Sequence, residues 1–471
     1  MSKVNLKRMR SYRHTNSILI LNLFVLSLLC CLMYWAHHYK ANTFVWIPPI
    51  RAVTLLLIVY QIIIVRACKL WIFDFAIIFT ATNYLFVEGY LFIWEEGYRR
   101  YEYWTMGYTA SQWLKGFVFG LCYIQGMFTG LLIPNRFRIA DYIGLNKKYT
   151  SKSLFQIGIV IFLISLPFKF YVDAMTYITN RSGHGYSAVL SNEVVSGVSF
   201  NLSLLVNIGV IYVICSRYLN AKKAMWFFLV FFIYALGITA LVGGRRFTVT
   251  ALLAIVPCYI YVYKVKITWK QFAFYALLGY IGIVFLSTVS ATREMLVTSF
   301  GEYITLSINY LTGADVLFDF VYEFGNTIYP YVMALSLFPS NHNYLYGVSL
   351  VAVWILAIPG AGKLFPNLRH DVSATTIARE KFNYWFGGAF GQELYANFGY
   401  VSIGISVLTG KLFSFLLGTL YRDCGIVCAR YFSLYYALLN LVRSDLNQFV
   451  RLILWAYFLP IILFYLFFRK K

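Results

Sequence analysis

Arginines stand at two places where a chain threaded through a bilayer has little topological reason to put them. One apolar run closes as Leu241-Val-Gly-Gly-Arg245-Arg246, a tight turn, and another closes as Ser290-Ala-Thr-Arg293-Glu294. A guanidinium is permanently charged and offers a planar fork of donors that fits phosphate oxygens two at a time. Arg245, Arg246 and Arg293 are therefore candidates for holding an anionic group, with snorkelling to lipid phosphate as the plainer alternative. A second polar cluster runs from Asn367 to Glu393 and carries Arg369, His370, Arg379, Tyr384, Trp385, Phe386 and Glu393. Arg369 and Arg379 could clamp a phosphate, and the aromatic trio could lie against a sugar face. The same stretch also reads as an amphipathic helix at headgroup level.

These groups need elements to position them, and composition says which. Of 471 residues, 60% are hydrophobic, 20% aromatic and only 12% charged. Soluble domains carry about 25% charged residues, so a water-soluble enzyme is excluded and an all-α polytopic membrane protein is expected. A span needs roughly 20 apolar residues. Twelve segments qualify: 17–36, 46–65, 71–93, 113–133, 154–172, 198–215, 224–242, 247–263, 272–290, 398–420, 426–442 and 452–468. Lys411 and Arg430 make the last three less regular than the rest.

Charge placement orients the chain. With the N-terminus cytoplasmic, the alternate connections and both tails hold 23 of the 40 Lys and Arg residues against two acids, Asp141 and Asp423. That asymmetry is what the positive-inside rule asks for, and it places both termini in the cytoplasm. It also accounts for a net charge of +22 without a nucleic-acid partner. No cleavable signal is evident, because the first apolar run is of full span length with no small-residue cleavage site after it. Eight cysteines fall in apolar runs or beside basic clusters, so no disulfides are expected.

The organisation that follows is a membrane part with nine spans over 1–290, a large outward loop over 291–397, and three further spans over 398–471. The loop contains a 14-residue apolar stretch, Leu345 to Ile358, which suits a re-entrant or interfacial helix, and a weaker stretch, Tyr329 to Phe338. If both crossed the bilayer the count would be fourteen. Asp315 and Asp319 share a helix face without His or Cys at ligand spacing, so no metal is expected. Cys424 and Cys428 read as packing residues, Glu95, Glu96 and Glu102 as a salt-bridged surface with Arg99 and Arg100, and His37 and His38 as chemically idle. No P-loop, Gly-x-Ser-x-Gly or His-Glu-x-x-His motif occurs. No repeat relates the two halves, unlike many secondary transporters.

Taken together, Val242-Gly-Gly-Arg-Arg246, the helix ending in Arg293, the late large loop, and Gly391-Gln-Glu-Leu-Tyr-Ala-Asn-Phe-Gly-Tyr-Val-Ser-Ile-Gly404 resemble the Wzy-type O-antigen polymerases, the oligosaccharide repeat unit polymerases of Gram-negative bacteria. The resemblance covers the architecture loosely and residues 240–410 more closely. It implies a GT-C-like glycosyltransferase of the bacterial inner membrane. Such an enzyme needs no metal or other cofactor and joins undecaprenyl-pyrophosphate-linked sugar units at the periplasmic face. Arg245, Arg246 and Arg293 would then hold pyrophosphate, Arg369 and Arg379 would bind donor or acceptor, and His370 or Glu393 would serve as general base for the acceptor hydroxyl. His370 beside Asp371 reads equally well as a solvent-facing loop residue. The expected partners are the lipid-linked oligosaccharide and the membrane, with a polysaccharide chain-length regulator left open. An O-antigen ligase shares the topology, and a flippase for lipid-linked units shares the span count but should show two similar halves.

Overall fold

The computed structural model describes residues 15–94, 107–133, 151–179, 198–242, 246–266, 268–292, 300–312, 316–358, 360–365, 368, 373–382, 387–418, 420 and 424–468. Every regular element among them is helical. The long helices start where local chemistry lets them. α1 is Thr15–His38, and α2, Ile47–Ala67, opens with prolines in its first turn, where a missing N–H costs nothing. The Asp74 side chain accepts from Ala76 N at 3.0 Å to start α3, Phe75–Asn83. That helix continues through a π turn, Tyr84–Glu88, into α4, Gly89–Phe92. A capping box between Thr109 and Gln112 opens α5, Ala110–Leu132. There follow α6 (Ser151–Thr179), α7 (Val198–Ser216), α8 (Ala221–Val242), α9 (Arg246–Tyr263) and α10 (Trp269–Thr292).

Short helices then occupy the expected loop: α11 (Phe300–Thr312), α12 (Val316–Gly325), α13 (Ile328–Leu337), α14 (Val348–Leu356), α15 (Ala361–Leu364) and α16 (Ala374–Phe382). The chain returns to long helices with α17 (Phe390–Phe398), which passes through one 3₁₀ turn into α18 (Ser402–Leu417). After α19 (Gly425–Leu439), a 3₁₀ turn at Asn440–Arg443 leads to α20 (Leu446–Leu452), a π turn at Ile453–Phe458 and α21 (Leu459–Phe468).

Among the described residues, ten helices are long and apolar enough to cross a membrane. They correspond to ten of the twelve expected spans. The other two are Phe247–Tyr263, a shorter apolar helix, and α10, which is helical over 24 residues but not among the ten. The first long segment after the loop starts at Phe390, eight residues before the expected 398. Neither apolar stretch of the loop forms a span. α13 has 10 residues and α14 has 9, about 15 Å each at 1.5 Å per residue, half of a bilayer's hydrocarbon core.

Long helices alternate in direction, so the bundle has two ends, and 300–382 attaches at the one called here the loop face. Cross-links confirm the alignment of helix ends there. Arg51 at the start of α2 donates to the Leu91 and Trp94 carbonyls at 3.2 and 2.8 Å, and His37 at the end of α1 meets the Tyr400 hydroxyl at 3.0 Å. At the opposite end, Lys411 of α18 reaches the Ile133 carbonyl after α5 at 3.3 Å.

Between membrane helices the driving force is close packing, which small residues permit. α5 and α19 are almost wholly buried, whereas α1, α2, α6 and α8 turn residues such as Ile20, Leu56, Leu163 and Val230 outward. α5 meets α18 through Gly126 and Gly130 against Ser406 and Gly410. A Cβ on Gly130 would stand 2.7 Å from the Lys411 backbone nitrogen and closer still to the Val407 carbonyl. α6 and α7 touch backbones likewise, with Gly158 facing Val213 N and Gly209 facing Phe162 N, each 2.8 Å from a built Cβ.

Gly130→Val is expected to destabilise the bundle, since overpacking costs about 1–3 kcal/mol. Gly404→Val on the same α18 meets nothing within 4 Å and is the control. Thermal unfolding of the detergent-purified protein, followed by size exclusion, should fall for the first variant and hold for the second.

Candidate active site

At the loop face, polar side chains that are distant in sequence converge on the start of α16. A helix start leaves backbone N–H groups without partners, and in an apolar surrounding something must accept from them. Glu393 of α17, which has no solvent exposure, does so. Its Oε2 accepts from Ala374 N at 2.8 Å, and its Oε1 accepts from Thr375 N at 3.4 Å and from the Thr375 hydroxyl at 3.2 Å. The adjacent Gln392 presents its Oε1 to the same hydroxyl at 3.2 Å and to Ala389 N at 3.3 Å. Carboxyl oxygens as acceptors also suit the positive end of the helix.

The rest of the Gly391–Gly399 motif is equally occupied with positioning. Gly391 leaves room for the Tyr331 ring of α13. Asn397 accepts from Gly347 N at 2.9 Å and donates to the Ser349 hydroxyl at 2.7 Å, tying the start of α14 to α17. The backbone adds Leu345 N to the Ala396 carbonyl at 2.9 Å and Tyr346 N to the Asn397 carbonyl at 3.1 Å. Gly399 takes φ +57°, and a Cβ there would lie 2.9 Å from the Tyr344 ring. The motif thus fastens three loop helices to the membrane bundle.

Around this hub lie the ends of other helices. Gly388 is packed against the Thr375 hydroxyl, and its absent Cβ would be 3.1 Å from the Asp445 Cα. Asp445 accepts from Gln448 N at 2.7 Å to start α20. Arg443 donates to the Glu323 carbonyl of α12 at 3.2 Å and stacks its guanidinium 5.9 Å over the Phe86 ring. Asn440, just before it, accepts from Thr250 of α9 at 3.1 Å, and Thr239 of α8 pairs with Thr248 of α9 at 2.8 Å. The end of α8 is thereby tied to the start of α9, and the start of α9 to the Asn440–Arg443 turn.

Of the seven residues singled out by sequence, Glu393 alone has a described side chain. Arg246 is the first residue of α9, one turn before Thr250, and Arg379 lies in α16, the helix that Glu393 caps. Their side chains are outside the described residues, as are Arg245, Arg293, Arg369 and His370 altogether. Arg245 directly precedes α9, Arg293 directly follows α10, and Arg369 and His370 fall between Leu368 and the buried Ser373 that begins the α16 cluster. Sequence reasoning missed Arg443. It follows an expected span and is a basic residue on the expected outward side, the criterion that selected Arg245, Arg246 and Arg293. No group of three or more His, Cys, Asp or Glu side chains among the described residues is arranged to hold a metal ion.

A buried, internally hydrogen-bonded polar hub thus lies at one end of an apolar helical bundle. In a comparison with protein families, residues 17–471 match the model for O-antigen polysaccharide polymerase Wzy. The chain belongs to that family, whose multi-pass enzymes polymerise lipid-linked repeat units. Neither curated proteins nor solved structures give a match.

Glu393→Leu removes the acceptor for two α16 amides. An unsatisfied buried donor costs about 1–3 kcal/mol, so the variant should melt lower than wild type, and Glu393→Gln, which keeps one acceptor, should fall between them. Equal melting temperatures for all three would show that the carboxylate does not hold α16.

Proposed function

We propose that this polymerase works at the periplasmic face of a bacterial inner membrane. The chain would cross twelve times with both ends in the cytoplasm, as a GT-C-like glycosyltransferase that uses no metal. The charge asymmetry between alternate connections supports the orientation, with the loop face outside. The substrate is an undecaprenyl-pyrophosphate-linked oligosaccharide. The hydroxyl of one unit attacks the anomeric carbon of the chain held on a second carrier, forming a glycosidic bond and breaking the bond from sugar to pyrophosphate. The acceptor proton leaves, and negative charge grows on the departing diphosphate.

The observation that carries this reading is the convergence of arginine-bearing elements at the loop face. The Thr250–Asn440 and Thr239–Thr248 contacts fix the start of α9, with Arg246 in its first turn and Arg245 just before it. α12 packs against α10, which ends beside Arg293, and against the π turn and α4. Fixed guanidinium groups stabilise a growing oxyanion without rearranging during the reaction, and we assign this task to Arg245, Arg246 and Arg293. Arg369 and Arg379, on either side of the α16 start, bind donor or acceptor.

Of the two base candidates, His370 has the chemistry and sequence position to take the acceptor proton. Glu393 has both oxygens committed to α16, so we assign it to positioning. A chain-length regulator as partner fits a membrane polymerase and has no assigned surface. The family match favours polymerisation over the ligase and flippase alternatives.

Arg293→Ala, with expression confirmed, should abolish long chains while single repeat units still reach the cell surface. Arg293→Lys should restore little, because one ammonium cannot replace a bidentate fork. Normal polymer in the alanine variant removes Arg293 from the mechanism. Purified enzyme should extend lipid-linked repeat units equally well with and without EDTA, and a chelator-sensitive rate would refute metal independence.

A further inference from the structure

Glu88 is not used by the reaction proposed above, and it is an expensive residue to bury. It lies within the third span, is fully buried, and neither carboxylate oxygen has a hydrogen-bond partner. An acid at membrane depth is costly and is ordinarily functional. Two features of the chain make room for it. The first is the π turn Tyr84–Glu88, whose extra residue turns the following positions by about 100° relative to an uninterrupted α-helix. The second is Gly120 of α5, where a Cβ would stand 2.6 Å from Glu88 Oε1.

The neighbourhood is polar as well. Tyr84 on the same helix, Cys122 on α5 and Tyr331 on α13 interact electrostatically with Glu88. The Tyr123 hydroxyl is likewise buried without a hydrogen-bond partner, and Tyr84 interacts with the Gln61 side chain. From Gln61 a hydrogen-bonded seam crosses the bundle. Gln61 donates to Gln125 Oε1 at 2.9 Å, Gln125 donates to Asn22 Oδ1 at 3.0 Å, and Thr129 donates to the Gln125 carbonyl at 2.7 Å. On its other side Glu88 is backed by Tyr331, which packs on Gly391 two residues before Glu393.

We propose that Glu88 is an intramembrane proton-binding site, a carboxylic acid seated in neutral form by the π turn and Gly120 whose proton exchanges with solvent. Among the described residues no side chain supplies the hydrogen bond or opposite charge that an ionised carboxylate would need in this surrounding, so the group persists there by carrying its proton. The ligand is the proton itself. The site borders α13 and is separate from the arginines assigned to the diphosphate.

Infrared difference spectroscopy of the purified full-length protein against Glu88→Gln tests this independently of polymer synthesis. Wild type should show a carbonyl stretch of a neutral carboxylic acid that is missing from the variant, and the band should shift when folded protein is moved into D2O. If Glu88→Gln does not fold, Glu88→Asp should displace the band. A difference spectrum that instead loses ionised-carboxylate bands overturns the proposal. So does an acid band that D2O leaves unmoved, because the proton would then be locked rather than exchanged.

Discussion

The arrangement of the loop face depends on one requirement, that the first amides of α16 find acceptors where water is excluded. Glu393 supplies them from α17, and the sequence is drawn together by that bond. α17 continues into α18, α18 packs backbone to backbone on α5, and α5 is the buried centre of the bundle. A helix carrying Arg379 is thus referenced to a deeply buried part of the bundle through two oxygens. Asn397 and Gly391 extend the same anchoring to α14 and α13, so the loop segment is in large part built into the bundle rather than hung from it.

The same economy governs the other charges at membrane depth. Lys411 caps the chain after α5, Arg51 caps the chain after α4, and Arg430 donates to the Tyr457 hydroxyl at 3.0 Å in the second π turn. Lys169 and Asp173 pair one turn apart on α6, and Tyr234 of α8 donates to the same carboxylate. Each spends its charge on a nearby backbone group or partner, which is how ionisable groups become tolerable in a low-dielectric interior. Glu88 is the described carboxylate that departs from this pattern, and its environment points to protonation instead.

Much of the helical layout was legible from run length alone, because a bilayer imposes its thickness on composition. Ten of twelve expected spans are helices of the required length and apolarity, despite Lys411 and Arg430. The ruler was less informative for 329–358, where apolarity reflects burial against other helices. α13 is apolar because it packs on Phe119 and Tyr123 of α5, not because it meets lipid over a full span. At the site, residue type singled out Glu393 as a base candidate, and its hydrogen bonds hold α16. Its partners lie 18 and 19 residues upstream, and spacing carries no sign of them. Arg443 and Glu88 each carried a readable signal, a positive charge on the expected outward side and an acid inside a span. Glu88 is obscured by the apolar run around it, and Arg443 by its place directly after another.

We propose that the Glu393 carboxylate, by holding α16, places Arg379 where it binds the lipid-linked substrate, a claim that binding can test. Its most direct measurement is the equilibrium affinity of purified, folded protein for an undecaprenyl-pyrophosphate-linked repeat unit in wild type, Glu393→Gln and Arg379→Ala. Both variants should bind at least about tenfold more weakly, a loss of roughly 1.4 kcal/mol, and the double variant should be no weaker than Arg379→Ala alone. Wild-type affinity in folded Glu393→Gln, with Arg379→Ala impaired, would contradict the claim.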